Sequence, residues 1–335
     1  MRIAINGFGR IGRTFLRVLL ENPDRAKKIE VVAVNMGGND IAAAAHMFKY
    51  DTTMGTYEGV VSVVGNILTV GHYKIRLLSE KSAENLPWRD LNIDWVVDCS
   101  GRYTKAEDAY QHIRAGAKRI LISAPAQGAD CTIIPGVNDQ KYDASNHLIV
   151  SLGSCTTNAL MPTLKVIQDA FLIESAFVVT THSYTATQAL VDGGASGADL
   201  RKYRAAPLNI VPATTGADKL VGEVIPELEG RVAAVAIRVP VANVSLLEVT
   251  WTSGHVLTKE GVLKAFDDAA KGALKGILDT TDEQLVSSDY LGNPFSVVID
   301  RPLVGVNGRM ATVFGWYDNE WGYCCRLGDF LAKHA

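Results

Sequence analysis

Short apolar runs alternate with amphipathic segments through the first half of the chain. The runs at Arg2–Asn6 and 29–34 predict buried strands, and the segment between them has the spacing of a helix that stops at Asn22-Pro23. Residues 60–80 alternate as antiparallel strands do. Further apolar runs predict strands at 93–99, 119–123 and 147–150. Strands that alternate with helices predict an α/β fold built on a doubly wound parallel sheet.

The second half has a different pattern. An apolar run at 176–181 predicts a strand, and a β-branched run at 232–252, broken at Arg238, predicts two strands that lie side by side. A helix is expected to start near Gly216 and to continue through Leu228. Additional elements are predicted as a helix at 258–275 and strands at 295–300 and 311–317. Mostly consecutive strands predict an α+β domain with a mixed or antiparallel sheet.

Composition limits the classes of function. The 335 residues carry a formal net charge of -3, so the chain offers no basic field for nucleic acid or for a membrane surface. No apolar run approaches the ~18 residues that span a bilayer, and the first residues enter a strand without the features of a secretory signal. The five cysteines include no C-x-x-C pair, which indicates reduced thiols. We therefore expect a cytoplasmic protein without a metal site.

A glycine-rich turn follows the first predicted strand. Gly7, Gly9 and Gly12 form G-x-G-x-x-G between a strand and a helix, which is the setting of a Rossmann-type dinucleotide site. The first glycine permits the turn, the second lets the backbone approach a pyrophosphate, and the third allows close packing of the helix. The first half of the chain is therefore predicted to bind a dinucleotide cofactor.

The C-terminal tail has no domain of its own. Its apolar positions, which include Trp321 and Leu327, have helical spacing, so we expect a last helix that packs back on the first half. We therefore assign residues 1–153 to a dinucleotide-binding domain, completed by a C-terminal helix at 319–335. Residues 154–318 form the catalytic domain.

The second predicted strand ends without the acid that NAD-specific folds usually place there. Asn35 and Met36 occupy this position, and no carboxylate follows until Asp40. A 2′-phosphate would meet no like charge, so the sequence admits NADP as well as NAD, although no arginine clamp is visible nearby. Ser123 follows another predicted strand, at the sheet edge where cofactors bind.

Cys155 lies where a predicted strand turns into a helix. Free N–H groups and the helix dipole favour an anion at such a position, and helix N-termini depress the pKa of cysteine. We therefore expect a nucleophilic thiolate, with hydroxyls of Ser154 and Thr156 that would hold a second anion such as phosphate. The position alone also fits a buried, inert cysteine.

Two further features would complement this nucleophile. His182 ends a predicted strand and would act as a general base if it comes within hydrogen-bond reach of Cys155. Arg238 would hold a phosphate through two parallel hydrogen bonds, and Thr215 with Gly216 would form a second anion site at a helix start. Taken singly, the histidine also fits a structural role and the arginine a surface ion pair.

Six motifs together resemble those of glyceraldehyde-3-phosphate dehydrogenases over nearly the whole chain. They are Ile5-Asn6-Gly7-Phe8-Gly9-Arg10-Ile11-Gly12, Ser154-Cys155-Thr156-Thr157-Asn158, Thr181-His182-Ser183-Tyr184-Thr185, Thr214-Thr215-Gly216-Ala217, Arg238-Val239-Pro240 and Trp316-Tyr317-Asp318-Asn319-Glu320. One motif alone would be unspecific, whereas six in the family's order and spacing are highly specific. The resemblance implies a homotetramer with each active site between the two domains, and a mobile segment near 182–205 that touches a neighbour's cofactor.

The resemblance also implies a reaction and a set of roles. Glyceraldehyde 3-phosphate would be oxidised with NAD or NADP and inorganic phosphate, through a thiohemiacetal and a thioester on Cys155, with His182 as the base. The substrate and attacking phosphates would contact Ser154, Thr156, Thr185, Thr215, Gly216 and Arg238. With the glycine turn and the second strand included, the cofactor set is Gly7, Phe8, Gly9, Arg10, Ile11, Asn35, Met36, Ser123, Tyr317 and Asn319.

The chain departs from the family pattern at several positions. Leu152-Gly153 stands before Ser-Cys where the family commonly has Asn-Ala, and this change is expected to loosen the turn of the nucleophile. Met36 replaces an acid, and Gly193-Gly194 replaces a Leu-Pro pair. The last two changes open space around the adenosine ribose, which indicates NADP or dual use.

Three alternative functions remain at this point. Erythrose-4-phosphate dehydrogenase is the nearest, although its relatives lack the Tyr-Thr after His-Ser and the Thr-Thr-Gly-Ala string that are present here. The double set of phosphate-binding residues disfavours a non-phosphorylating aldehyde dehydrogenase of different fold. Intact Cys155 and His182 disfavour a non-catalytic binding protein.

Overall fold

The computed structural model describes residues 1–194 and 199–335. The chain divides into two compact units. The first comprises Met1–Pro135, Asp139–Ser154 and Cys324–Ala335, and the second comprises Gly136–Asn138 and Cys155–Tyr323. Within the described residues, no helix has the length and apolar character that crossing a membrane requires.

The first unit is built on one large sheet. Its strands are β1 (Arg2–Asn6), β2 (Glu30–Asn35), β3 (Val61–Val64), β4 (Ile67–Val70), β5 (Tyr73–Leu78), β6 (Trp95–Asp98), β7 (Arg119–Ile122), β8 (Cys131–Thr132) and β9 (Ile149–Ser151). Its helices are α1 (Arg10–Leu20), α2 (Pro23–Lys28), α3 (Ala44–Lys49) and α4 (Ala106–Arg114). Among the described residues the strand order is β3-β4-β5-β2-β1-β6-β7-β9-β8, and every pairing from β5 to β8 is parallel. The predicted doubly wound parallel sheet is confirmed.

One edge of this sheet differs from the rest. Strands β3, β4 and β5 pair antiparallel, as the alternation predicted, and β5 then pairs in parallel with β2. This pairing brings the residues that follow β5 next to those that follow β2. The neighbourhood matters below, because both segments line the same pocket.

The prediction that α1 stops at Asn22-Pro23 missed a short second helix. Helix α1 ends at Leu20, and α2 begins at Pro23. The side chain of Asn22 caps α2 by accepting hydrogen bonds from the N–H groups of Asp24 and Arg25. Proline is favoured at the first helical position because it has no N–H to leave unsatisfied there.

The second unit contains a mixed sheet, as predicted. Its strands are β10 (Ile173–Ser183), β11 (Val211–Thr214), β12 (Val232–Val239), β13 (Ser245–Ser253), β14 (Leu278–Thr281), β15 (Val297–Asp300), β16 (Gly305–Asn307) and β17 (Met310–Tyr317). Helices α5 (Cys155–Phe171), α6 (Val221–Val224) and α7 (Lys259–Lys271) belong to this unit, and a last helix, α8 (Trp321–Lys333), has its residues from Cys324 onward in the first unit. The order of the described strands is β11-β12-β10-β13-β17-β15-β14, with β16 on β17. Helix α5 contacts β10, β13 and β15.

Two sequence expectations in this unit are wrong. Strands β12 and β13 do not lie side by side, because β10 is inserted between them. The helix expected to run through Leu228 is interrupted: the four residues of α6 stand between short 3₁₀ turns at Asp218–Leu220 and Pro226–Leu228. Pro226 lacks a donor for continued helix, and Gly222 has low helix propensity.

Residues from Cys324 onward anchor to the first unit. The ring of Phe330 meets Trp95 edge-on, with centroids 5.7 Å apart. Arg25 and Asp329 form an ion pair of 2.7 Å. These contacts bury one side of α8 against an aromatic and charged surface of the first unit.

Candidate active site

The candidate nucleophile, Cys155, is the first residue of α5. Strand β9 ends at Ser151, and Gly153 takes φ +63°, a left-handed conformation that glycine adopts without strain. The N–H of Gly153 donates to Oγ of Ser151 at 3.0 Å within this turn. A looser turn than the family's Asn-Ala turn stays a prediction. Cys155 therefore lies at a helix N-terminus, as predicted, with its side chain partly exposed.

The candidate base, His182, is the penultimate residue of β10 and is buried. Its Nε2 lies 3.5 Å from Sγ of Cys155. The imidazole meets the ring of Tyr317 edge-on, with centroids 5.9 Å apart. Sequence spacing alone could not place these two residues together. The structure brings them within the distance that proton transfer requires.

Arg238 lies beside His182 because the parallel strands β10 and β12 pair these two residues in register. Its Nη1 is 2.7 Å from Nδ1 of the imidazole and donates to the carbonyl oxygen of Ser183 at 3.0 Å. The same carbonyl oxygen is 2.7 Å from Nδ1. The guanidinium thus belongs to the environment of the base rather than to a surface ion pair.

Burial and nearby charge both affect the pKa values of the pair. Burial raises the pKa of the Cys155 thiol, although the charge of Arg238 and a hydrogen bond with Thr156 act in the opposite direction. Burial, assisted by Arg238, lowers the pKa of His182 to about 4. Desolvation of the sulfur thus acts against the thiolate that the helix N-terminus is predicted to favour, and the reactive thiolate stays a prediction.

Tyr317 closes the site from β17. It is buried, and its hydroxyl lies 3.0 Å from Oγ1 of Thr156 and 2.7 Å from Oγ1 of Thr180. Burial raises the pKa of the phenol, which stays protonated. The hydroxyl therefore links the first turn of α5 to β10, a role that the sequence did not reveal.

Asn319 is held with one side of its amide fixed. Its Oδ1 accepts hydrogen bonds from Oγ of Ser183 at 2.9 Å and from Oγ of Ser245 at 3.1 Å. The amide nitrogen is consequently the end that is directed elsewhere.

The remaining predicted phosphate residues lie in loops. Thr185 follows β10, and its Oγ1 is 3.0 Å from Oγ1 of Thr187. Thr215 and Gly216 form a bend after β11, where Oγ1 of Thr215 accepts from the N–H of Ala217 at 3.2 Å. A 3₁₀ turn begins at Asp218, directly after this bend, and continues into α6. Thr215 and Gly216 therefore precede a helical stretch, and the anion site there stays a prediction.

The glycine turn has the geometry that the motif predicts. Gly7 takes φ +94°, and a Cβ there would lie 2.7 Å from the backbone of Ser100. A Cβ at Gly12 would lie 2.1 Å from the carbonyl oxygen of Gly7, whereas one at Gly9 would meet no atom within 4 Å. Gly9 therefore leaves open space where a ligand can approach the backbone, and the residues present fit a dinucleotide.

A pocket in the first unit gathers several of the predicted cofactor residues. Gly7, Phe8, Gly9, Asn35 and Met36 line it. Asn35 is also structural, because its Nδ2 donates to Oδ1 of Asn6 at 2.7 Å and its Oδ1 accepts from the N–H of Glu80. The amide therefore holds the end of β2 against the segment that follows β5.

Three predicted cofactor residues have their side chains or carbonyls engaged within the first unit. Arg10 forms an ion pair with Asp51. Burial acts to raise the pKa of Asp51, but this ion pair and the backbone N–H donors lower it to about 2. The carbonyl oxygen of Ile11 accepts from Sγ of Cys324 at 3.6 Å. Oγ of Ser123 donates to the carbonyl oxygen of Asp98 at 2.8 Å.

Two basic residues at the pocket were missed by the sequence analysis. Lys81 and Arg102 both line it, and the side chain of Lys81 lies over Gly38, 2.8 Å from the place of a Cβ. Lys81 lies at the pocket because β5 pairs with β2, which places Lys81 beside the residues after Met36. The hydropathy pattern gives no information about that pairing.

A buried carboxyl group next to this pocket was also missed. Asp98 ends β6, and its Oδ1 accepts from Nδ2 of Asn6 at 2.7 Å and from Oγ of Ser100 at 2.8 Å. Burial raises its pKa to about 6, against the opposing effect of these donors. Strand β6 is apolar up to this residue, so the acid at its carboxyl end was the available signal.

Comparison with known proteins gives a consistent result over both units. Residues 1–106 match the family model "Glyceraldehyde 3-phosphate dehydrogenase, NAD binding domain", and residues 154–319 match the corresponding "C-terminal domain". A glyceraldehyde-3-phosphate dehydrogenase of Kitasatospora aureofaciens is 48% identical over 330 residues, which cover 98% of each chain. One from Geobacillus stearothermophilus is 45% identical over 336 residues, covering 100% of this chain and 98% of its own. A third, from Chlamydia muridarum, is 45% identical over 333 residues, or 99% and 98% of the two chains.

Proposed function

The chain belongs to the glyceraldehyde-3-phosphate dehydrogenase family, a family of NAD-dependent oxidoreductases, and on that premise we propose that it converts glyceraldehyde 3-phosphate and inorganic phosphate to 1,3-bisphosphoglycerate. The observation that carries the proposal is the 3.5 Å separation of Cys155 Sγ and His182 Nε2. A thiol within reach of an imidazole is the arrangement that nucleophilic catalysis at an aldehyde needs. We assign this chemistry to residues 154–318 and cofactor binding to residues 1–153 with the C-terminal helix.

Cys155 and His182 divide the steps between them. The sulfur forms a bond to the aldehyde carbon while His182 accepts the thiol proton and returns it to the carbonyl oxygen, which gives a thiohemiacetal and a neutral imidazole. NAD, when bound, supplies the acceptor for the hydride of the thiohemiacetal C–H bond. His182 takes the proton of the thiohemiacetal hydroxyl as the thioester forms, and phosphate then displaces the sulfur of Cys155.

The anionic groups need their own partners. Arg238, next to the imidazole, is proposed to bind the substrate phosphate together with Thr185. Ser154, Thr156, Thr215 and Gly216 are proposed to hold the attacking phosphate. Ser154 and Thr156 are the chain neighbours of Cys155, which supports this assignment, because the attacking phosphate must reach the thioester on that residue.

For the cofactor, we propose Gly7, Phe8, Gly9, Arg10, Ile11, Asn35, Met36 and Ser123 in the first unit, and Tyr317 and Asn319 in the second. Asn319 would offer its amide nitrogen to the carboxamide, since its oxygen is occupied by two hydroxyls. Five of the first-unit residues line the pocket around the glycine turn.

NADP is proposed as an additional cofactor. Met36 places no carboxylate beside the adenosine ribose, and Lys81 adds a positive charge over Gly38. We expect measurable turnover with NADP. In Lys81→Ala this turnover should fall about tenfold or more, with little change in turnover with NAD. Lys74→Ala, which changes an exposed lysine on β5, is the control and should leave both unchanged. Met36→Asp should reduce kcat/KM for NADP more than for NAD. Strict NAD preference in the unmodified protein would refute this cofactor proposal.

A homotetramer is proposed for the assembly. The open face of the second sheet exposes Phe177 by 50% and Val235 by 37%, and buried contacts between copies would cover such apolar residues. The segment 182–205, expected to reach a neighbour's cofactor, includes residues 195–198, which lie outside the described residues. Light scattering of the purified protein at several concentrations tests the assembly.

A cytoplasmic location is proposed from the state of the thiols. All five cysteines are free. Free thiols persist in reducing compartments. Fractionation of cells that produce the protein would test this location.

One assay tests the function. Purified protein is mixed with NAD and glyceraldehyde 3-phosphate, with and without inorganic phosphate, and cofactor reduction is followed at 340 nm. We expect sustained turnover that requires phosphate. Turnover without phosphate would contradict the phosphorylating mechanism, and a preference for erythrose 4-phosphate in a parallel reaction would favour the alternative dehydrogenase.

A further inference from the structure

Three polar side chains stand in register at the carboxyl ends of neighbouring parallel strands in the first unit. Asp98 of β6 pairs with Asn6 of β1, and Asn6 pairs with Asn35 of β2. Nδ2 of Asn6 donates to Oδ1 of Asp98 at 2.7 Å, and Nδ2 of Asn35 donates to Oδ1 of Asn6 at 2.7 Å. We call these three residues the amide row. Each of them is at most 3% exposed, so their hydrogen bonds are sheltered from water.

The direction of the hydrogen bonds along the amide row is fixed at both ends. Oδ1 of Asn35 accepts from the backbone N–H of Glu80 at 2.9 Å, and Nδ2 donates to the carbonyl oxygen of Glu80, also at 2.9 Å. A backbone N–H only donates and a carbonyl oxygen only accepts, so the amide of Asn35 cannot be reversed. An ionised Asp98 at the other end only accepts. Asn6 must therefore direct Nδ2 toward Asp98 and Oδ1 toward Asn35.

The carboxyl group at the start of the amide row is an expensive choice for this position. Oδ1 of Asp98 accepts from Asn6 and from Oγ of Ser100, whereas Oδ2 is buried and has no hydrogen-bond partner among the described residues. Burial raises the pKa of Asp98 to about 6, so the fold disfavours its charge. A buried polar atom without a partner calls for an explanation, and a role in binding is one that the neighbouring pocket supports.

The other end of the amide row holds the two segments that frame one end of this pocket. Oδ1 of Asn35 accepts from the N–H of Gly37 at 3.3 Å as well as from that of Glu80. One amide therefore binds backbone both after β2 and after β5, and Gly37 and Glu80 both line the pocket. In a dinucleotide fold the residues after the second strand meet the adenosine ribose. Asn35 thus determines the shape of the adenosine end of the pocket.

We propose that Asp98 is a positioning residue for the dinucleotide, which acts through Asn6 and Asn35 on the segments that receive the adenosine end. The identity of the ligand rests on the proposed function. Without an acceptor at position 98, Nδ2 of Asn6 would be buried and unsatisfied, and Asn6 would turn toward another partner. Asn35 would then lose the acceptor for its own Nδ2, and the segments at Gly37 and Glu80 would be held less rigidly.

The first test measures the affinity for ADP-ribose, the part of the dinucleotide without the nicotinamide, by titration calorimetry. Asp98→Leu keeps the branched shape of the side chain and removes the acceptor, so the affinity should fall about tenfold or more. Asp98→Asn keeps an oxygen that faces Asn6 and should recover most of the lost affinity. Unchanged affinity in Asp98→Leu would overturn the proposal. Equal losses in the two variants would also overturn it, because the charge rather than the acceptor would then matter.

The kinetics separate positioning from a general loss of stability. In Asp98→Leu the KM for NAD should rise about tenfold or more, while kcat at saturating NAD should stay within about twofold of its original value. Ile120→Ala, which truncates a fully buried side chain on the neighbouring strand β7, is the control. It should lower the melting temperature and leave the KM for NAD unchanged. An equal rise of KM in Ile120→Ala would show that Asp98 acts only through stability and would contradict the proposal.

Hydrogen exchange followed by NMR reports on the amide row without any ligand. The backbone N–H groups of Gly37 and Glu80 should exchange faster in Asp98→Leu than in the unmodified protein, and unchanged exchange at both would overturn the proposal. In the unmodified protein the side-chain NH₂ groups of Asn6 and Asn35 should exchange slowly. Rapid exchange of either would refute the proposal even if Asp98→Leu fails to fold. Absence of NAD reduction by the unmodified protein would instead refute the proposed function, since ADP-ribose binding and exchange need no turnover.

Discussion

The phenolic oxygen of Tyr317 lies 3.0 Å from Oγ1 of Thr156, the residue after the candidate nucleophile. A second contact, 2.7 Å long, joins it to Thr180. This hydroxyl is therefore a shared partner of two buried threonines on different elements. Removal of the Tyr317 hydroxyl would leave both threonine hydroxyls without this partner, and their burial makes replacement by water difficult.

We expect Tyr317→Phe to lower the free energy of unfolding by about 1–3 kcal/mol, because buried hydroxyls lose their partner. Urea denaturation followed by circular dichroism measures this change. Tyr142→Phe, which changes a partly exposed tyrosine of the first unit, should alter the free energy by less than about 0.5 kcal/mol. Equal effects of the two substitutions would show that the Tyr317 hydroxyl has no special role.

The depressed pKa of His182 predicts the acidic limb of the reaction. Above about pH 4 the imidazole is neutral and can accept a proton, and below it the protonated ring cannot. The fall of kcat/KM that arises from this histidine should therefore lie below pH 5 rather than near its ordinary value of about 6.5. His182→Asn should reduce kcat/KM roughly 10²–10⁴-fold, whereas His72→Asn, an exposed histidine, should not. A limb near pH 6.5 that disappears in His182→Asn would contradict this prediction.

Two glycines of the same turn should respond differently to a methyl group. Gly9 has negative φ and open space around its Cβ direction, so Gly9→Ala should fold with an unchanged melting temperature but bind NAD about tenfold or more weakly. Gly12→Ala would bring a Cβ to 2.1 Å from the carbonyl oxygen of Gly7 and should destabilise the first unit itself. Calorimetry and NAD titration distinguish these results, and undiminished NAD affinity in Gly9→Ala would count against the placement of the cofactor.

The buried carboxyl group of Asp98 predicts a dependence of stability on pH. Its pKa is raised to about 6 by burial, so the folded state binds this proton more tightly than the unfolded state does. This proton contributes about 3 kcal/mol to the free energy of unfolding when the pH is below the unfolded-state pKa of about 3.8. The contribution is lost as the pH rises through 6. When the pH is lowered from 7.5 to 5, the free energy of unfolding of the unmodified protein should rise by about 1 kcal/mol relative to that of Asp98→Asn.

Urea denaturation at both pH values measures this difference. Asp94→Asn is the matched control on the same segment of chain: burial acts to raise its pKa, but the N–H of Arg2 and the ammonium of Lys118 lower it. Its contribution is present above its unfolded pKa and is lost only in stronger acid, so it should change little between pH 7.5 and 5. A similar response of the two variants would rule out Asp98 as the source.

Local patterns predicted most of the elements because helix and strand periods are local properties. The glycine turn, the hairpins of residues 60–80 and the helix start at Cys155 are all encoded within a few residues of sequence. The pairing of strands is not encoded in this way. The insertion of β10 between β12 and β13, and the parallel pairing of β5 with β2, depend on which distant segments pack together.

The candidate site shows the same division. Cys155, His182 and Arg238 were identified from residue type and position, but their mutual contacts follow from strand order and register. Lys81 was missed for this reason. The helix terminus at Cys155 is visible in the sequence, whereas the burial that acts to raise the pKa of its thiol is a property of the folded unit.

The parallel pairing of β10 with β12 has a consequence for how the protein matures. Antiparallel neighbours can zip up from a tight turn, but these strands meet only after the roughly fifty residues between them have formed a crossover. The imidazole and the guanidinium sit at the far end of that pairing. During synthesis and refolding, His182 and Arg238 should therefore come together late, after the local helices and hairpins have formed, and activity should appear only at that stage.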